Sequence, residues 1–338
     1  MTPKFTEFNG RTFQVPTYST TNDLRRARLS GLLSERGCIR VIEAHNPISA
    51  IVAEGAHVSA SGPFSGEFDA IWSSSLTDSA VRGLPDIEIL DWRIRLAAID
   101  EIFAVTAKPL IMDGDTGGLP EHFEYTVREL ERRGVSAVII EDKRGLKQNS
   151  LLGGSRLQEM ESMERFCDKI RRGKATQVTQ EFQIFARIES LILGEGMHSA
   201  LQRADEYVNA GSDGIMIHSR DKCPDDVMKF ATEFRKTHPG VTLIAVPTTY
   251  NSVHADELAG AGFNIVIYAN HLFRSSMKAM QDACRRILLN GRTAEVEEIC
   301  VDLAEILNLA RPVMPTADRL SAVRTGELEN IDSYRHTL

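Results

Sequence analysis

Long apolar runs are missing from this chain of 338 residues. No stretch approaches the roughly 20 apolar residues of a membrane span, and the opening MTPKFTEFNG lacks the apolar core of a secretory signal. Cysteine is scarce as well. Cys38, Cys167, Cys223, Cys284 and Cys300 are scattered, without a CxxC pair or metal-ligand spacing, which excludes a disulfide framework and predicts reduced thiols in the cytoplasm. Excess positive charge is absent too: the net charge is -8, with none of the basic stripe of a nucleic-acid binder. An anionic small molecule stays possible, because a few local cations suffice to hold it. No GxGxxG follows the first apolar run, which disfavours a dinucleotide-binding sheet. What remains is an ordinary globular composition, 42% hydrophobic and 25% charged, able to build a core without staples.

From residue 38 onward, short Ile- and Val-rich runs alternate with amphipathic stretches. The expected strands are Ile39–Glu43, Phe68–Ser74, Pro109–Asp113, Ala137–Glu141, Gln183–Glu189, Gly214–His218, Thr242–Pro247 and Asn264–Ala269. They are continuously apolar, as parallel strands covered on both faces are. Helices are expected from Asn46-Pro47 and over Asp91–Phe103, His122–Arg133, Gln158–Arg172, Met197–Ala210 and Pro224–Lys236. Eight βα units in about 250 residues predict an α/β fold, a (β/α)8 TIM-type barrel. Residues 1–22 read as a polar, extended N-terminal arm and 23–312 as one catalytic barrel domain, including a loop over 143–156. Residues 313–338 read as a polar tail. The amphipathic stretch 23–36, stopped by Gly37, suits a plug for the barrel bottom. After the eighth strand come two helical patterns, His271–Leu289 and Ala294–Leu309; one completes the barrel, and the surplus one suits docking on a partner subunit. The pairs Arg25-Arg26 and Arg171-Arg172 read as solvated helix faces.

In such a barrel, chemistry sits where strands end. Those ends carry Trp72-Ser73-Ser74-Ser75 with Asp86 in the following loop, Asp113 and Asp115, then Glu141, Asp142 and Lys143. Beyond them come Arg187 and Glu189, His218 and Ser219, Thr248-Thr249, and Asn270 with His271. Clustered carboxylates suit Mg²⁺, which takes one or two of them directly and keeps waters; Asp113 is the direct ligand expected, with Asp115 and Glu141 holding metal-bound water. Paired His or Cys residues, which zinc would need, do not accompany these acids. Arg187 is a fork for phosphoryl or carboxylate oxygens, with His218 as a further hydrogen-bond donor. Gly145, Gly153 and Gly154 flank Lys147, Asn149 and Ser150, the pattern of a lid that excludes water.

The run EDKRGLKQNS, Glu141–Ser150, resembles the EDKxxxKxNS signature of the phosphoenolpyruvate mutase family, within the isocitrate lyase and phosphoenolpyruvate mutase superfamily. The resemblance spans about residues 37–311 and includes the DxDxG cluster at Asp113, the ARIES segment and the YANH end of the eighth strand. It implies interconversion of phosphoenolpyruvate and phosphonopyruvate, the entry step of phosphonate biosynthesis. It also implies Mg²⁺ on Asp113, with Asp115 and Glu141 in its water shell. Trp72, Ser74, Ser75 and Leu76 would hold the pyruvyl group, Arg187 and His218 the phosphoryl group; Lys147, Asn149 and Ser150 would close over it, and Asp86 is the implied essential acid. Ser75 departs from the family, which usually has Gly there. Partners implied are the small-molecule substrate and further copies of the chain, as a homodimer or homotetramer exchanging the last barrel helix, with neither nucleic acid nor membrane. Rival readings are a phosphonopyruvate hydrolase, a carbon–carbon lyase or oxaloacetate hydrolase of the superfamily, and a silent anion-binding or scaffold barrel.

Overall fold

The computed structural model describes residues 5–8, 11–14, 20–58, 66–145, 147 and 158–309. In chain order, β1 (Phe5–Phe8) and β2 (Arg11–Gln14) precede α1 (Asn22–Arg36), β3 (Ile39–Glu43), α2 (Pro47–Gly55), β4 (Ala70–Ser73) and α3 (Ser75–Ala80). Next come α4 (Trp92–Phe103), β5 (Leu110–Asp113), α5 (Pro120–Arg133), β6 (Ala137–Glu141), α6 (Met163–Thr176), β7 (Gln183–Ile188), α7 (Ser190–Leu193) and α8 (Gly196–Asn209). The series ends with β8 (Gly214–Ile217), α9 (Asp225–Thr237), β9 (Thr242–Ala245), α10 (Ala255–Gly260), β10 (Ile265–Tyr268), α11 (His271–Asn290) and α12 (Leu303–Leu309). The expected TIM-type barrel is present: β3 to β10 close in sequence order, all parallel, with β10 pairing back onto β3. No described helix is long and apolar enough to cross a membrane.

Strand side chains alternate faces, and here both faces are buried. Val41, Ile111, Ile139, Phe185 and Met216 point into the barrel, whereas Ile42, Met112, Ile140, Ala186 and Ile217 meet the helix layer. The plug is also present. Leu29 and Leu32 of α1 join the interior cluster, Ser30 accepts from Gln183 at 3.0 Å, and Ser136 donates to Arg25 O at 3.0 Å, all at strand beginnings.

Several expectations need correction. Arg25 and Arg26 are buried: Arg25 lies 3.9 Å over the Phe103 ring and donates to Thr106 O at 3.2 Å, and Arg26 donates to Glu131 O at 2.5 Å. Their cations satisfy carbonyls at the barrel bottom, so this face of α1 is inward. Helix α6 begins at Met163, capped by the Ser162 hydroxyl, because residues 159–161 pair instead with 142–144. The stretch 294–309 is broken into a 3-10 turn, Glu297–Ile299, and α12, where the Asp302 carboxylate accepts from Ala304 N at 2.7 Å and restarts the helix. Within the expected N-terminal arm, β1 and β2 pair antiparallel. Five of the eight barrel strands end one or two residues earlier than expected, and short α3, α7 and α10 follow strand ends that read as loops.

The chain divides into two compact units, Tyr18–Asp282, which holds the barrel, and Met1–Thr17 with Ala283–Leu338. Leu29, fully buried in the plug, provides a test of the bottom seal. Leu29→Ala should cost about 2–5 kcal/mol, measured by urea unfolding; a loss below about 1 kcal/mol would contradict a close-packed plug.

Candidate active site

The same alternation that fills the barrel with Ile and Val delivers charge to its mouth. Continuing inward from Ile111, Ile139, Phe185 and Met216 by two residues reaches Asp113, Glu141, Arg187 and His218. Glu141 and Arg187 are register partners on neighbouring strands, and Arg187 Nη2 lies 3.1 Å from Glu141 Oε2. Arg187 Nε also pairs with Glu189, and His218 Nδ1 lies 2.8 Å from that carboxylate and 3.1 Å from Arg187 Nη2. Lys143 Nζ, fully buried, reaches Glu141 at 3.2 Å and Glu189 at 3.5 Å.

The second half of the site gathers around Lys147. Its ammonium lies 2.8 Å from Asp115 Oδ1, 3.3 Å from Asp86 Oδ1 and 3.4 Å from Asp113 Oδ2, and it contacts the Ser75 hydroxyl. The Ser75 hydroxyl in turn donates to Asp113 Oδ2 at 2.7 Å, so its side chain turns toward the acids. Asp113 Oδ1 accepts from Asp115 N at 3.2 Å, which holds the other carboxylate oxygen. Ser74 stands at the N-cap of α3 and Leu76 in its first turn, while Trp72 lies in the barrel interior with its indole N–H unpartnered among the described residues. Asn149 and Ser150 lie outside the described residues.

Burial and charge set the ionisation. Burial opposes ionisation of Asp113, but Lys147, Arg187 and Arg95 overcome it and hold the carboxyl well below its usual range. Glu189 behaves likewise: desolvation is outweighed by Arg187, His218 and Lys143. Glu141 goes the other way, to about 7, because desolvation exceeds the pull of Arg187 and Lys143. Desolvation, reinforced by Arg187, lowers His218 and favours the neutral imidazole. Desolvation resists the charge on Lys147, yet Asp113, Asp115 and Asp86 raise it well above the ordinary lysine value.

Several supporting residues were missed. Arg95 of α4 bridges Asp115 Oδ2 and Asp78 Oδ2, each at 3.0 Å; its signal was an arginine in register with the buried Ala98, Ile99 and Ile102. Glu43 ends β3 on the inward face, lies 2.5 Å from His45 Nδ1 and accepts from Phe273 N at 3.1 Å. Asp142 faces outward, where its carboxylate accepts from Glu189 N at 2.9 Å and Tyr207 Oη at 2.7 Å, with Arg203 Nη1 at 3.4 Å. Thr249 donates to Ser219 O at 3.2 Å and Asn270 Oδ1 accepts from Arg274 Nη1 at 3.4 Å, so both bonds lead away from the acids.

As a metal site, the cluster is made of hard oxygen donors. Among the described residues no three His, Cys, Asp or Glu side chains form a ready ligand set; Mg²⁺ ordinarily keeps several of its waters. The buried Glu141 oxygens, without a hydrogen-bond donor at proper geometry, retain capacity for such water.

Fold and site together define a (β/α)8 barrel of the enzyme type, with an acid cluster beside an Arg–His–Glu group at its mouth. The family model described as Phosphoenolpyruvate phosphomutase matches residues 29–288, and the chain belongs to that family. The phosphoenolpyruvate phosphomutase of Tetrahymena pyriformis is 34% identical over 286 residues, 84% of this chain and 91% of that protein. The phosphonopyruvate hydrolase of Variovorax sp. is 36% identical over 294 residues, 86% and 94% respectively. A crystal structure of phosphoenolpyruvate phosphomutase from Streptomyces platensis subsp. rosaceus is similar at TM-score 0.78 and 35% identity, covering 89% of this chain and 98% of that one. A phosphonopyruvate hydrolase complex with oxalate and Mg++ matches at TM-score 0.72 and 32% identity, covering 90% and 99%.

Asp142 provides a pH test. Its buried carboxyl is raised from 3.8 to about 6 by desolvation, against the pull of Arg203 and Tyr207. A carboxyl raised in the fold stabilises fully below its unfolded pKa, and that stability is lost as pH rises through about 6. Asp142→Asn, which cannot ionise, should therefore gain on wild type by up to about 3 kcal/mol between pH 4 and pH 7. Urea unfolding at both pH values checks this, and a constant difference would contradict it.

Proposed function

We propose that this enzyme interconverts phosphoenolpyruvate and 3-phosphonopyruvate by intramolecular phosphoryl transfer, an isomerase at the entry to phosphonate biosynthesis. The supporting observation is the meeting of two unlike subsites at one barrel mouth: Asp113, Asp115 and Lys147 on one side, Arg187 and His218 on the other, linked by Glu141. Phosphoryl transfer through a loose transition state needs positioning and charge stabilisation more than covalent help. Arg187, with its planar donors, and the His218 imidazole would hold the migrating phosphoryl group. Trp72 N–H, the Ser74 hydroxyl and the backbone of Ser75 and Leu76 would hold the pyruvyl carboxylate and carbonyl. Lys147, Asn149 and Ser150 would keep water away, since water would capture the phosphoryl group.

Mg²⁺ is the proposed cofactor, on Asp113 directly and on Asp115 and Glu141 through water. Bound there, it would supply the positive charge that stabilises an enolate when the C–O–P bond breaks. Ser75 would then orient Asp113 through its hydroxyl, a contact that a glycine could not make. Asp86, beside Lys147, is the proposed essential acid. We place the enzyme in the cytoplasm, as a homodimer or homotetramer that exchanges its last barrel helix. Helix α11 buries none of its own residues within the chain, which favours that assembly.

A hydrolase is the second reading, favoured by the Variovorax relative at 36% identity. The run Lys147, Asn149, Ser150 supports the mutase, and no lid cysteine of the lyase type follows Lys147. Phosphorus NMR decides: phosphonopyruvate should yield phosphoenolpyruvate, whereas pyruvate with inorganic phosphate would replace the mutase by the hydrolase. EDTA should stop turnover and added Mg²⁺ restore it; turnover indifferent to both would remove the metal. Asp86→Ala should reduce turnover to background with the unfolding midpoint unchanged, and near-normal activity would exclude Asp86 from the mechanism.

A further inference from the structure

Glu88 belongs to none of the roles assigned above, yet its backbone and side chain are both unusual. Its φ is 57°, and Asp115 is the other non-glycine residue with positive φ among those described. A residue with a Cβ adopts this conformation at a cost, which persists only where surrounding contacts hold it. Here the contacts are specific. Glu88 Oε2 accepts from Lys147 N at 2.8 Å, while Oε1 accepts from Thr116 N at 3.0 Å and from the Thr116 hydroxyl at 2.7 Å. One carboxylate therefore ties the backbone of Lys147 to the turn that immediately follows Asp115.

We propose that Glu88 is a positioning residue that sets the Lys147 ammonium over the acid cluster. The physical case is one of leverage. A lysine side chain is long and rotatable, so its charge is placed only if its backbone is placed first. Lys147 is 3% exposed, and its ammonium touches Asp115, Asp86, Asp113 and Ser75. Its backbone N–H is held by Glu88, and the same Glu88 carboxylate fixes Thr116, whose carbonyl also accepts from Lys169 Nζ at 2.5 Å. Anchor and target thus share one rigid junction, so a shift of either moves both. Glu88 itself touches none of the groups proposed to meet substrate except through Lys147 and Thr116.

The catalytic consequence rests on the proposed function, but the placement of Lys147 does not, and two measurements separate them. Amine acetylation followed by peptide mass spectrometry reads Lys147 without any substrate. Glu88→Ala should raise the Lys147 labelling rate roughly tenfold, the opening expected when hydrogen bonds of this kind are lost. Glu88→Gln, which keeps the side-chain shape if the alanine variant fails to fold, should raise it in the same direction. Labelling unchanged in a folded Glu88 variant overturns the proposal. A double-mutant cycle on phosphonopyruvate turnover then tests the route. Glu88→Ala should lower kcat roughly tenfold, and combined with Lys147→Ala it should be no slower than Lys147→Ala alone. Losses that multiply would show that Glu88 acts independently of Lys147 and overturn the proposal. Wild-type enzyme that leaves phosphonopyruvate untouched defeats the proposed function instead, and the labelling result decides the position of Lys147 by itself.

Discussion

A carboxylate withdrawn from water must be given a cation or a proton, and this requirement organises the mouth of the barrel. Asp113, Asp115, Glu141 and Glu189 are all buried there. Lys147 and Arg95 answer the first two, Lys143 and Arg187 the others. Balance is uneven by design of the layout. Asp113 and Glu189 stay ionised because cations surround them, whereas Glu141, between Arg187, Lys143 and another acid, is pushed to about 7. Negative charge is therefore concentrated near Asp113 and Asp115, and positive charge near Arg187.

That charge layout follows from strand alternation within a closed sheet. Inward positions are apolar up to the last turn of the barrel and then become Asp, Glu, Arg and His. Outward positions continue to serve packing, and the outward Asp142 illustrates the exception. It binds Tyr207 and Arg203 of α8 and also Glu189 N, so the helix layer is connected to the residue that orients Arg187 and His218. At the opposite end α1 closes the barrel with leucines and two buried arginines, leaving one open mouth.

Much of this was legible in the residues. Short, continuously apolar runs located all eight strands, and polar residues at their ends named Asp113, Asp115, Glu141, Arg187 and His218 before any geometry. Two kinds of feature were not. Arg25 and Arg26 look like surface charge because a guanidinium gives no local sign that carbonyls will meet it from distant elements, and the register of Arg95 with buried residues does not name the carboxylates that pair with it. Glu88 was equally silent, since its partners Thr116 and Lys147 lie 28 and 59 residues away in the chain. The break near Asp302 was a local signal, an N-cap inside an apolar pattern, that the longer helical period overrode.

The amino-acid order by itself determined the continuously apolar strands, their burial on both faces, and which chemical groups stand at their ends, because those properties depend on neighbours one to four residues apart. Tertiary structure alone decided which of those groups meet. The closing of β10 onto β3, the register that sets Glu141 opposite Arg187, and the reach of Lys147 to Asp86, Asp113 and Asp115 join residues far apart in the chain. Coulomb interactions and hydrogen bonds act over a few ångströms, so the state of each acid and cation is fixed only once the barrel has brought its partners within that distance.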